Sequence, residues 1–230
     1  MIVEPRLIEY LNSLEMELPP YLAELEAYAL QTEVPIIRKE AQSLLRFFIE
    51  LKQPKQILEV GTAIGFSASF MCEYMPKDCH LTTIEKVPMR IVEAEKNLAA
   101  LQRKQDITFL TGDAEEVLCQ LKEQGNQYDF VFLDAAKAQY MSFLAHILPM
   151  MSEGAILVTD NVLQEGSIVE SKYCITRRDR TIHMRMREYL YELKHNDRLT
   201  TSIVTVGDGM ALSVKKRDGV CKGVIYDNKK

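Results

Sequence analysis

T-S-I-V-T-V-G-D-G-M-A-L-S-V-K, residues 201–215, holds two β-prone runs, Thr201 to Val206 and Met210 to Lys215, separated only by Gly207-Asp208-Gly209. A short Gly-rich link between two such runs is hairpin chemistry, so the last strand must run antiparallel to its neighbour. Upstream the pattern is different. Five apolar runs read as buried strands: Gln56 to Val60, Leu81 to Ile84, Ile107 to Leu110, Phe130 to Leu133 and Ile156 to Thr159. Helical periodicity fills the gaps at Ser67 to Met75, Met89 to Leu101, Ala114 to Leu121 and Gln139 to Leu148, and recurs at about Arg180 to Lys194. Such alternation builds right-handed crossovers and a parallel sheet. The expected fold class is α/β, a Rossmann-like sheet that is mostly parallel and closes in a C-terminal antiparallel hairpin strand.

At 230 residues and 47% hydrophobic, the chain suits one domain with an ample core. Residues 1–52 read as a helical cover belonging to that domain, 53–217 as its body and 218–230 as a polar tail. Within the cover, Leu7, Ile8, Leu11 and Leu14 keep a helical period, a second run spans Tyr21 to Ala29, and Pro35 breaks the chain again. A third helix, Lys39 to Leu51, carries Ala41, Leu44, Leu45, Phe48 and Leu51 on one stripe that must pack on something. A lid over the substrate and a homodimer surface are both compatible with it. No apolar stretch approaches the roughly 20 residues of a membrane span. The start, M-I-V-E-P-R, lacks the basic and apolar regions of a signal peptide, so a cytoplasmic protein without a membrane partner is expected. Five cysteines without a C-x-x-C pair suggest neither a disulfide framework nor a zinc site. A net charge of −5 argues against DNA coating but leaves room for a local basic patch.

An acidic side chain stands at or just past the carboxyl end of each parallel strand: Glu59, Glu85, Asp113, Asp134 and the pair Asp160-Asn161. Those ends form the ligand crevice of an open parallel sheet. Unpaired carboxylates there would repel one another, so a polyhydroxyl or cationic cofactor, a metal, or both are implied. After the first strand comes E-V-G-T-A-I-G-F-S, residues 59–67, in which Gly61 and Gly65 allow a tight turn and close backbone approach. The spacing is not G-x-G-x-x-G, so no pyrophosphate cradle is indicated. Glu85 is placed to accept ribose hydroxyls and Gly112-Asp113-Ala114 to flank an adenine, with helix capping as the plainer role for both acids.

A parallel sheet closed by a hairpin is the arrangement of class I S-adenosylmethionine-dependent methyltransferases, whereas nicotinamide-binding domains typically end in a sixth parallel strand. The chain resembles the cation-dependent O-methyltransferase family, which includes catechol and caffeoyl-CoA O-methyltransferases. The resemblance rests on E-V-G-T-A-I-G-F-S, T-I-E at 83–85, G-D-A at 112–114, D-A-A-K-A-Q-Y at 134–140, T-D-N at 159–161 and V-G-D-G at 206–209. It implies S-adenosylmethionine bound through Ile37, Glu59, the Gly61 and Gly65 turn, Ser67, Glu85, Asp113, Ala114 and Asp134. Asp134, Asp160 and Asn161 offer only oxygen, which suits a hard divalent ion, Mg²⁺ first and Mn²⁺ or Ca²⁺ in its place. The resemblance makes Lys137, beside Asp134, the base or electrostatic partner of the reacting oxygen. An ordinary surface lysine is the plainer alternative.

Five Arg in the eleven positions 177–187 are a local anomaly in an acidic chain. Arg177, Arg178, Arg180 and Arg187 read either as a solvated helix face or as a phosphate-tracking patch beside the site. Ile182, Met186, Tyr189 and Leu193 fall on the buried stripe of that helix, with Arg180, His183, Arg187 and Lys194 on another face. Within the family the pattern is most similar to bacterial tRNA 5-hydroxyuridine methyltransferases, which act on the wobble base of the anticodon loop. A tRNA partner is therefore expected. 5-Hydroxyuracil carries a hydroxyl beside its O4 carbonyl, a pair that chelates a metal much as a catechol does. The alternative is a small-molecule phenol or catechol O-methyltransferase with an aromatic pocket near Tyr140 or Tyr173.

Overall fold

Hydrogen-bonded pairing turns the seven expected runs into one sheet. The computed structural model describes residues 3–217. Its strands are β1 (Gln56–Val60), β2 (His80–Glu85), β3 (Ile107–Thr111), β4 (Tyr128–Leu133), β5 (Met151–Thr159), β6 (Leu199–Val204) and β7 (Met210–Lys215), in the order β3-β2-β1-β4-β5-β7-β6. β1 to β5 are parallel, and β7 lies antiparallel between β5 and β6. Strand order reverses between β1 and β4, so their carboxyl ends open the crevice where open α/β sheets bind ligands. The expected polar tail, 218–230, lies outside the described residues.

The helices are α1 (Pro5–Ser13), α2 (Pro20–Gln31), α3 (Lys39–Lys52), α4 (Phe66–Tyr74), α5 (Pro88–Ala99), α6 (Ala114–Glu123), α7 (Tyr140–Met150) and α8 (Arg180–His195). They cover the two faces of the sheet. One apolar layer joins α2, α3, α4 and Leu98 of α5 to Ile57, Leu81, Phe130, Phe132 and Val158; the other joins α6, α7 and α8 to Leu58, Val60, Val131, Leu133 and Leu157. Strands buried on both faces need continuous apolar runs, which is why Q-I-L-E-V and Y-D-F-V-F-L do not alternate in the usual way. Among the described residues no helix is long and apolar enough to cross a membrane.

Three expectations are corrected. The hairpin link is five residues long, because Val204 and Met210 form the last pair. Its tip turns aside to bond the chain after β5: Val162 N–H donates to the Gly209 carbonyl at 2.9 Å and Leu163 N–H to that of Asp208 at 3.0 Å. On α3 the buried stripe is Ala41, Gln42, Leu45 and Ile49, whereas Leu51 is 65% exposed. Gln42 can be buried because its amide donates to the Ile37 carbonyl at 2.9 Å and to Glu26 at 3.0 Å. On α8, His183 is buried with Met186, Tyr189 and Leu193 and does not join the polar face.

Candidate active site

The acids at the strand ends are held by ladder bonds that run one step past the strands. Gly61 and Thr62 N–H both donate to the Ile84 carbonyl at 3.1 Å, Gly112 N–H to Glu85 at 2.9 Å, Asp134 N–H to Val60 at 3.0 Å, and Asp160 N–H to Leu133 at 3.0 Å. Each loop therefore leaves the sheet from a fixed backbone position, a rigid base for a binding constellation. Above these ends lies a cavity of about 580 Å³, within the range of small-molecule and cofactor sites.

Of the residues expected at a cofactor, Ile37, Gly61, Ser67, Glu85, Ala114 and Asp134 line this cavity, together with Lys137 and Asn161. Gly61 has φ +106°, and a Cβ there would stand 1.9 Å from the Asp134 carbonyl oxygen, so only glycine lets β1 and β4 deliver their ends this closely. Glu85 is buried, and its carboxylate accepts backbone N–H groups of Ala63, Lys86 and Val87, each at 2.8 Å. It fastens the glycine turn to the end of β2 and keeps acceptor capacity for one more donor.

Glu59, Gly65 and Asp113 do not line the cavity. Glu59 is wholly buried and accepts the hydroxyls of Ser67, at 2.5 Å, and of Thr83. Burial pushes its carboxyl up to about 7 against the lowering effect of those two bonds. Its work is indirect: it orients Ser67 on the cavity wall. Gly65 begins α4 at φ +87°, packed against Leu98. Asp113 caps α6 by accepting the Glu115 N–H at 3.0 Å, and also meets Lys86 at 3.2 Å. The Glu115 N–H and the Lys86 ammonium hold its carboxyl below the usual range. The plainer capping role is the one seen for Asp113.

Asp134 lines the cavity and Asp160, 2% exposed, does not, but the two charges act on each other. Burial pushes both carboxyls up; for Asp160 the Asp134 charge adds to it, while Lys137 and Arg90 pull Asp134 back down. The Asp134 carboxylate makes no hydrogen bond among the described residues, and that of Asp160 accepts only the Asn161 N–H, at 2.7 Å. Asn161 sits at φ +56°, a left-handed conformation that asparagine tolerates better than most residues. No group of three or more His, Cys, Asp or Glu among the described residues is arranged to hold a metal. The oxygen set is smaller, two carboxylates and an amide, which matches how sparingly proteins ligate Mg²⁺. Lys137 reaches in from a short helical turn, Lys137–Gln139, and its ammonium lies 3.9 Å from the buried carboxylate of Asp208. Sequence reading missed Asp208, and it missed Arg38, Lys86 and Arg90, which join Lys137 as cations on the cavity wall. The signals for Asp208 were its place in the V-G-D-G motif and an acid set between two glycines, which also reads as an ordinary turn.

The Arg-rich segment is next to this rim. α8 packs on the Lys137–Gln139 turn and on the Gln164–Val169 turn, and Arg185 donates to the Ala138 carbonyl at 2.9 Å. Arg177, Arg178 and Arg187 are exposed and Arg180 half-buried. Arg180 donates to the Ile175 carbonyl at 3.1 Å and Arg187 to that of Glu170 at 3.3 Å. Tyr140 is buried against the Tyr189 ring, and Tyr173 is 76% exposed, so neither forms an aromatic wall of the cavity.

A seven-stranded sheet of this order, with a cavity over β1 and β4, defines a Rossmann-like methyltransferase. The sequence profile described as O-methyltransferase matches residues 12–216, and the chain belongs to that family. A catechol O-methyltransferase of Niastella koreensis is 33% identical over 127 residues, which span 55% of this chain and 58% of that protein. A Staphylococcus aureus structure provisionally described as a caffeoyl-CoA O-methyltransferase superposes with a TM-score of 0.80 at 30% identity, covering 91% of this chain and 97% of that one. The O-methyltransferase TomG of Streptomyces achromogenes, solved with S-adenosylmethionine, shares the fold with a TM-score of 0.79 at 24% identity, covering 90% and 95%.

Proposed function

We propose that the chain is an S-adenosylmethionine- and Mg²⁺-dependent O-methyltransferase acting in the cytoplasm on 5-hydroxyuridine at the tRNA wobble position, to give 5-methoxyuridine. Family membership supports the O-methyl transfer, and the fold shared with a protein solved with S-adenosylmethionine supports the donor. The observation that carries the tRNA reading is the exposed Arg cluster of an acidic chain, packed against the turn that holds Lys137.

The residues divide the work. The Gly61 turn, Ser67, Glu85 and Ala114 would hold the nucleoside, and Asp134, Asp160 and Asn161 would hold the ion. When bound, the donor supplies an electrophilic methyl group and the ion stabilises a deprotonated hydroxyl. Lys137, on the cavity wall, would take the hydroxyl proton or steady the oxygen's charge, and the fixed strand ends would supply alignment. A hydroxyl in an unpaired loop can reach such a site without melting a duplex.

Small phenols are the second reading, favoured by the name of the N. koreensis relative. The two differ in what the arginines do. Replacing Arg177, Arg178, Arg180 and Arg187 with Gln should weaken tRNA binding and flatten its salt dependence by roughly 0.7 to 0.9 in log-log slope per lost phosphate contact. Unchanged slope in filter binding, or equal loss of catechol methylation, goes against the RNA patch.

A homodimer is part of the same proposal. Leu7, Tyr10 and Leu11 of α1, Leu14 just after it, Leu30 of α2, and Phe47 and Leu51 of α3 are all exposed, and large apolar side chains gathered on neighbouring elements suit an interface. Light scattering should give twice the 26.4 kDa chain mass at micromolar concentration; a monomer mass ends the idea.

A further inference from the structure

The tip of the β6-β7 hairpin carries a buried carboxylate that the division of work above leaves without a role. Asp208 is 6% exposed. One carboxylate oxygen is 3.9 Å from the Lys137 ammonium, and the other accepts the Glu165 N–H. Its backbone carbonyl accepts the Leu163 N–H at 3.0 Å, and the next carbonyl, of Gly209, accepts Val162 N–H at 2.9 Å. The tip thus bonds the chain after Asp160-Asn161 at three places, Val162, Leu163 and Glu165.

That chain needs holding. Asn161, Gln164 and Glu165 have φ of +56°, +51° and +54°, a left-handed backbone for three non-glycine residues within five positions. Such conformations persist only where surrounding bonds over-determine them. Gly209 lets the tip lie this close, since a Cβ there would stand 2.2 Å from the Leu163 side chain. On its other side, a Cβ at Gly207 would stand 3.4 Å from that of Ala41, and Arg38 crosses to Glu165 at 3.0 Å. A buried carboxylate is costly unless its charge is met, and the nearest cation is Lys137.

We propose that Asp208 is a positioning residue for methyl transfer: it holds the Lys137 ammonium over the cavity and clamps the 161–165 loop beside Asp160. The assignment rests on the reading of Lys137 and Asp160 given under the proposed function. Without its charge, Lys137 is free to swing away from the acceptor oxygen, although cofactor contacts on β1 and β2 are untouched.

The test uses Asp208→Asn, which keeps the shape and an acceptor for the Glu165 N–H but removes the charge, alone and combined with Lys137→Met. Methyl transfer is read on hydroxyuridine-containing tRNA and on catechol, with S-adenosylmethionine affinity measured by calorimetry as the check on folding. Asp208→Asn should lower kcat about ten- to hundredfold, the scale of a charge-assisted contact, with cofactor affinity within about threefold. In the Lys137→Met background it should cost less than about twofold more, because partners in one contact are not additive. Losses that multiply in the double variant would overturn the proposal, as would a parental kcat for Asp208→Asn when Lys137→Met is impaired. If Lys137→Met itself kept the parental rate, the reading of the site would fall first, and the role of Asp208 with it.

Discussion

Asp160→Ala is expected to lower methyl transfer by at least about a thousandfold, the scale of the several kcal/mol that a metal supplies, while S-adenosylmethionine affinity stays within roughly tenfold. The division follows from position. Asp160 is buried just past the end of β5, whereas the residues proposed for the nucleoside stand in the turn after β1, at the start of α4, at the end of β2 and at the start of α6. Stability should move the other way. Asp160→Asn keeps an acceptor for the Asn161 N–H and removes a carboxyl raised by burial and by the charges of Asp134 and Asp208. The sign is fixed by linkage. Below the ordinary carboxylate pKa both states hold the proton and nothing is lost; as pH rises, the unfolded chain ionises first, and the fold loses stability until pH passes the raised native value. The metal-free parent should therefore lose more Tm between pH 5 and pH 8 than Asp160→Asn does. Equal losses in thermal melts, or equal loss of cofactor binding and activity in Asp160→Ala, would contradict this.

Gly61→Ala should cost about 2 to 5 kcal/mol of stability, combining overpacking with a backbone conformation that alanine resists. The added methyl would meet the Asp134 carbonyl oxygen at 1.9 Å and the Ala135 Cα at 3.3 Å, so β1 and β4 must part or the loop bearing Asp134 must shift. Either change displaces a proposed metal ligand, and activity should fall with stability. Gly125→Ala is the control, since Gly125 also has positive φ, +76°, but nothing stands within 4 Å of a Cβ there. It should cost about 1 kcal/mol of backbone strain and leave methyl transfer unchanged. Thermal melts of the two variants that coincide would show that close approach at Gly61 is not what matters.

The sheet was legible because strands buried on both faces leave uninterrupted apolar runs, and the hairpin was legible because glycines punctuate it. Legibility failed where a side chain's partner comes from a distant part of the chain. Glu59 ends the first apolar run like the other acids, but its carboxylate meets Thr83, 24 residues on, inside the sheet. His183 sits among arginines in sequence and is buried in the structure, because the helix turns that face inward. Asp208 reads as turn punctuation until the fold brings it to Lys137. The segments that form the site could be named from residue types; which acids face the cavity depended on contacts across strands.

The central claim, metal-assisted methyl transfer to a tRNA hydroxyl, is tested most directly by nucleoside mass spectrometry. Hydroxyuridine-containing tRNA is incubated with the purified chain, S-adenosylmethionine and Mg²⁺, with catechol as a parallel acceptor at equal concentration. The account predicts conversion of 5-hydroxyuridine to 5-methoxyuridine that is abolished by a metal chelator and faster than catechol methylation. Methylated catechol beside unchanged tRNA would contradict it.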